Sequence, residues 1–176
     1  MSELDEAWAL ALAEAERRAR QSGRADVAQY LALRNSNDLL RKTGIDWLIQ
    51  TVLQLAGEAN RAGASIQVAN ENQHRFQVGN TTMVGRLLSL TFGLRVLTVE
   101  AGWPRTPRDG FIRGAGLACG NLNHRGIKSA SEQLQLVRLP TGTPRWVALT
   151  KDSKHINVDE RRLKSHLDTL LDHRVR

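Results

Sequence analysis

The run Met83-Val84-Gly85-Arg86-Leu87-Leu88-Ser89-Leu90-Thr91-Phe92-Gly93-Leu94-Arg95-Val96-Leu97-Thr98-Val99 decides the fold. It reads as two apolar strands around Gly93, which supplies the positive φ that a tight hairpin needs. Upstream, Ser65-Ile66-Gln67-Val68-Ala69 alternates with a period of two, as a half-buried strand does. Glu71-Asn72-Gln73 reads as a turn, Arg75 to Val78 alternates again, and Gly79-Asn80 is the next turn. Downstream, Phe111 to Asn123 is a glycine-rich strand segment. Glu132 to Leu139 and Arg145 to Thr150 read as a last hairpin around Pro140 to Pro144. Strands joined directly, with no helices between them, argue against a parallel doubly wound sheet.

The first 63 residues have helical spacing instead. Leu4, Ala7, Trp8, Ala11, Leu12 and Ala15 form one apolar series, opened by Ser2 and Asp5 in a capping-box pattern and stopped by Gly23. A second helix starts near Asp26 and turns Val27, Tyr30 and Leu31 inward. Asn35-Ser36-Asn37-Asp38 reads as a break or a new cap. Thr43 with Asp46 then opens a third helix, with Trp47, Leu48, Val52, Leu55 and Ala59 as its apolar face. Asn157 with Glu160 caps a final helix striped by Leu163, Leu167, Leu170 and Leu171, and His173 to Arg176 reads as a frayed tail. The expected fold is α+β: N-terminal helices packed on a mainly antiparallel sheet of five to seven strands, with a C-terminal helix. The expected organisation is a single domain over 1–176: helical layer 1–63, antiparallel sheet 64–150, C-terminal helix and tail 151–176.

Composition bounds the function. The chain has 176 residues, 41% hydrophobic and 24% charged, which excludes a disordered chain, a collagen and a coiled-coil rod. Cys119 is the one cysteine, so no intramolecular disulfide framework exists, and a reducing, cytoplasmic location is expected. The acidic start, Glu3 to Glu6, is unlike a secretory leader. No apolar run approaches the roughly 20 residues of a membrane span.

The net charge of +7 is unevenly spread. Residues 1–63 hold 8 basic and 9 acidic residues; 64–128 hold 8 and 3; 129–176 hold 9 and 6. The basic excess therefore lies in the sheet and the final helix. It reads either as a solvated surface or as a site for an anion or a nucleic acid backbone.

The segment Gly102-Trp103-Pro104-Arg105-Thr106-Pro107-Arg108-Asp109-Gly110 stands out. Its two prolines stiffen it. A stiff loop holding Arg105 and Arg108, with Arg113 beyond, suits a carboxylate or phosphate, because guanidinium presents a planar fork of donors. Trp103 can stack on a base or an arginine. The plainer reading is a structural crossover in which Asp109 pairs with an arginine. Gly114, Gly116 and Gly120 fit neither a dinucleotide fingerprint nor a P-loop, and suit bulges or close packing.

No histidine lies in a zinc spacing, so neither metal nor cofactor is expected. Cys119 and His124 fall on opposite strand faces and form no catalytic pair. His124 is the histidine best placed for a site, and Glu100 and Asp109 are the carboxylates available to it. Trp8, Tyr30 and Trp47 read as core residues.

These features point first to a non-catalytic binding module whose ligand-binding residues are Trp103, Arg105, Arg108, Asp109, Arg113 and His124. Its partner would be an anionic ligand, a nucleic acid backbone or an acidic protein, and not a membrane. A homodimeric assembly protein is the second reading. A hydrolase-type enzyme using Glu100, Asp109 and His124 is the third.

Overall fold

The computed structural model describes residues 3–172. The cap at Ser2 and the tail at His173 to Arg176 lie outside them. The order is α1 (Glu3–Gln21), α2 (Ala25–Arg61), β1 (Gln67–Val78), β2 (Thr81–Phe92), β3 (Arg95–Trp103), β4 (Gly116–His124), β5 (Glu132–Arg138), β6 (Pro144–Leu149), β7 (His155–Asn157) and α3 (Glu160–Leu171). The class is α+β. The seven strands form one sheet in sequential order, every neighbouring pair antiparallel. The hairpin at Gly93 turns as expected, with φ 59° at that glycine.

Contacts divide the chain into two units, with the boundary between Lys42 and Thr43. The first unit is an antiparallel pair made from α1 and the start of α2. It buries Leu12, Ala19 and Ala28. The expected core roles of Trp8 and Tyr30 fail: they are 50% and 61% exposed. Trp47, in the second unit, is 41% exposed.

The breaks expected at Asn35 to Asp38 and before Thr43 do not occur, because α2 is continuous through both. Asp38 accepts from Arg41 one turn later at 2.7 Å, so its carboxylate serves the helix surface and not a cap. Gly44 stays in the helix because its missing side chain leaves room for Leu136: a Cβ there would lie 2.6 Å from the Leu136 Cδ2.

In the second unit, α2 from Thr43 onward lies on one face of the sheet. The Trp146 indole on β6 donates to the Gly44 carbonyl at 2.7 Å, and Arg86 on β2 donates to Asp46 at 3.1 Å. Helix α3 lies on that same face, where Arg95 of β3 reaches the Thr169 carbonyl. Its cap is Asp159, which accepts from the Arg162 amide, and not the expected Asn157. Between helices and sheet sit Leu48, Ile49, Leu88, Leu97, Leu134 and Leu170, all but solvent-free. Burying each such side chain contributes about 1.5–3 kcal/mol, so this layer holds the unit together.

The opposite face has one small cluster, Phe76, Met83 and Cys119, closed over by Val78 and by Ile112 from the loop after β3. The turn expected at Glu71 to Gln73 is instead a bulge inside one long strand. Asn72 opposes Arg86 and His74 opposes Gly85, so Gln73 is the extra residue, with φ 60°. A single inserted residue changes which face every later side chain occupies.

Candidate functional site

Antiparallel register puts the β1–β2 turn, the β3–β4 loop and the β5–β6 turn at one end of the sheet. Three consequences follow for the residues singled out by sequence. Trp103 is the last residue of β3, opposite Val84. Arg105 folds back over it, its Cζ 3.5 Å from the ring centroid, and its Nε points at the Val84 carbonyl. Asp109 is buried. Its Oδ2 accepts from the Thr106 amide at 2.9 Å, the Thr106 hydroxyl at 3.0 Å and the Arg105 amide at 3.2 Å, and its Oδ1 accepts from Arg75 at 2.9 Å. The Thr106 amide, followed by the Thr106 hydroxyl, the Arg105 amide and Arg75, holds the Asp109 carboxyl below its ordinary value, against the opposing effect of burial. Asp109 thus braces the loop.

Arg108 and Arg113 are exposed. They make no ion pair among the described residues. The same end carries Arg75 on β1, Arg138 at the end of β5 and Arg145 at the start of β6, which the loop reading missed. The stretches 75–84, 103–116 and 136–146 hold these six arginines and one carboxylate, Asp109. From β1 to β6 is five strand steps, or about 24 Å at about 4.8 Å per step. The arginines form a rim along the sheet end and not a single claw.

His124 is not part of this rim. It is buried on the helix-covered face, where its Nε2 lies 2.9 Å from the His166 Nδ1 of α3, with the two rings stacked at 5.2 Å. The His166 Nε2 lies 3.3 Å from Glu132 of β5, which also accepts from the Arg162 guanidinium. A carboxylate accepts only, so the His166 Nε2 carries the proton. Burial pushes the His124 imidazole down, and the charge of His166 pushes it the same way. Burial opposes ionisation of Glu132, but hydrogen bonds from His166 and Arg162 outweigh it and bring that carboxyl to about 2. This chain of four groups clasps α3 to the sheet.

Glu100 lies on the other face. Its two oxygens accept from the Asn121 amide at 2.8 Å and meet the His74 Nε2 at 2.9 Å. The bulge at Gln73 is what brings His74 there. The three residues weighed for a hydrolase, Glu100, Asp109 and His124, fall into three separate hydrogen-bond sets, and His124 faces away from Glu100. Among the described residues no group of three or more His, Cys, Asp or Glu is arranged to hold a metal ion. Cys119 packs with Phe76 and Met83, and burial raises its thiol to about 11, so it is a poor nucleophile at neutral pH. It faces away from His124, as the strand alternation requires.

No helix among the described residues is long and apolar enough to cross a membrane. No protein-family model, no curated protein and no solved structure matches this chain.

Proposed function

We propose that the protein is a non-catalytic module that binds the phosphate backbone of a nucleic acid along the arginine end of its sheet. One observation carries the reading: six arginines, Arg75, Arg105, Arg108, Arg113, Arg138 and Arg145, lie along that end with Asp109 as the one carboxylate in the same stretches. The spread of the charges favours an extended polyanion over a compact anion. A single phosphate engages two or three guanidinium groups at most, whereas about 24 Å matches roughly seven base-pair steps of a duplex. Stacking of Arg105 on Trp103 and the bracing of Asp109 hold part of the rim in place before any ligand arrives, which reduces the ordering cost of binding. Within the three arginine-bearing stretches Phe111 is exposed, but Phe76 and Trp146 are buried and Trp103 is covered by Arg105, so one ring faces outward there against six arginines, which supports backbone contact over base reading.

The test is fluorescence anisotropy with duplex and single-stranded oligonucleotides of mixed sequence, over a series of salt concentrations. Binding should weaken steeply with salt. Replacing Arg108, Arg113 and Arg145 by Ala should flatten the slope of log K against log salt by about 2–3, close to 0.7–0.9 per lost contact. All three are exposed, so the variant keeps its core. No binding at low salt, or an unchanged slope in the variant, overturns the proposal.

A further inference from the structure

We propose that the nucleic acid bound at the arginine end is single-stranded, and that the Phe111 ring is the platform on which one of its bases stacks. This rests on the nucleic acid reading of that end and narrows it.

Phe111 is 77% exposed, although the chain on either side of it is held fast. Ile112 packs into the cluster of Phe76, Met83 and Cys119. Gly116 leaves the room for it: a Cβ there would lie 2.7 Å from the Ile112 Cγ2. The Thr81 hydroxyl donates to the Phe111 carbonyl at 3.1 Å, and the Gln135 amide donates to the Arg113 carbonyl at 3.2 Å. On the other side, the Gly110 amide reaches back to the Pro107 carbonyl, within the turn that Asp109 braces. The backbone is therefore anchored before and after residue 111. It buries Ile112 in the small cluster and leaves the phenyl ring in water. A ring held this way gives up the burial that its neighbour gains. It offers a ligand a flat apolar face at little ordering cost.

The surroundings select the ligand. Arg108 stands before the ring and Arg113 after it, and both are exposed. The one carboxylate in 103–116 is Asp109, buried and committed to Thr106, Arg105 and Arg75. A nucleotide within a strand is a flat base with a phosphate on either side. A ring flanked by two guanidinium groups is complementary to it. The other exposed residues of 103–116 are Thr106, Pro107, Gly114 and Ala115, none of them large and apolar. One ring suffices for one base, and is far less apolar surface than a bilayer or a protein interface needs.

The length of the rim suits a duplex and a single strand alike, and the ring separates them. In a duplex each base is paired and stacked on both faces, so a side chain finds no open face to cover. In a single strand the faces are open to aromatic side chains. Every base has such a face, so stacking holds the strand without reading its sequence. That agrees with a rim built of arginine.

The experiment measures fluorescence anisotropy with three labelled probes of equal length, about 12 nucleotides: a mixed-sequence single strand, the same strand with abasic sites in place of its bases, and the corresponding duplex. The single strand should bind tightest. Phe111→Ala should weaken it by roughly 5- to 150-fold, the range of one base–aromatic stack. The same variant should leave the duplex, the abasic strand and the salt slope unchanged, because the ring carries no charge. Phe111→Trp should restore the affinity. The ring lies outside the core, and circular dichroism checks that the fold is intact. An unchanged affinity in Phe111→Ala, or a duplex bound as tightly as the single strand, overturns this proposal while persistent salt dependence still supports backbone contact. Absence of salt-sensitive binding to all three probes overturns both. Capture by phosphatidylserine vesicles that Phe111→Ala abolishes, with no effect on the single strand, assigns the ring to a membrane and also overturns the proposal.

Discussion

Acidification should loosen α3 from the sheet in two stages. Leu163, Leu167 and Leu170 dock the helix, and the chain Arg162–Glu132–His166–His124 clasps it. His124 is pushed below its ordinary 6.5 in the folded protein, by burial first and by the charge of His166 second. The unfolded chain therefore takes up a proton there before the folded one does. Stability is fully present above pH 6.5 and falls as the pH drops through that value.

The second stage belongs to Glu132, whose carboxyl stands at about 2 against an ordinary 4.5. Again the unfolded state protonates first, so stability is lost from about pH 4.5 downward. The difference corresponds to roughly 3 kcal/mol at 1.36 kcal/mol per pH unit. The Glu132 side chain keeps 22% exposure, and solvent screening reduces the contribution to about 2 kcal/mol. Urea unfolding at about pH 7.5, 5.5 and 3.5 measures both stages. His124→Gln should flatten the loss between about pH 6.5 and 5 and leave the lower one. Glu132→Gln should lower stability at neutral pH and remove the lower stage. A wild-type midpoint that does not move between about pH 7.5 and 4, or equal slopes in all three proteins, would refute the reasoning.

Two further outcomes follow from the geometry. Gly44→Ala should destabilise by about 1 kcal/mol in chemical denaturation: Ala favours the helix by about 1 kcal/mol, but its Cβ meets Leu136, which is 0% exposed, and such overpacking costs about 1–3 kcal/mol. A stabilised variant would mean that Leu136 has room to yield. Asp109→Ala should release the loop after β3, so that limited trypsin digestion cuts after Arg105 and Arg108 much faster than in the wild type, while an unchanged digestion rate would show that Asp109 does not brace it.

The strands were legible because their cause is local. The period of two and the turn residues at Gly79, Gly93 and Gly142 mark three of the reversals, whereas the turn before β7 has no glycine, and β7 (His155–Asn157) lies in the stretch 151–176 that was expected to hold only the final helix and tail. The continuity of α2 was not legible, because Asn35 to Asp38 and Gly44 carry ordinary helix-ending chemistry. What overrides it is remote: Leu136, 92 residues beyond Gly44, needs the space of a missing side chain. Within the loop, the pairing of Asp109 with an arginine was foreseeable in kind, but its partner is Arg75, 34 residues away on β1. His74 and Glu100 meet across β2 only because of the bulge at Gln73, and a β-bulge at a non-glycine residue has no reliable local signature. His124 and His166 meet because α3 docks over β4 and β5, and the helix-to-sheet docking angle is not written in any short segment.

The bulge at Gln73 also bears on how the sheet ends. β1 is one free edge of the sheet, and the extra residue with its positive φ twists that edge and breaks its row of backbone donors and acceptors. The other edge, β7, is three residues long and follows Lys154. Long flat edges invite another strand, and then another, into open-ended fibres, and neither edge here offers such a template. A sheet of seven strands is thereby shielded from runaway aggregation, and growth by strand addition stops at the single chain.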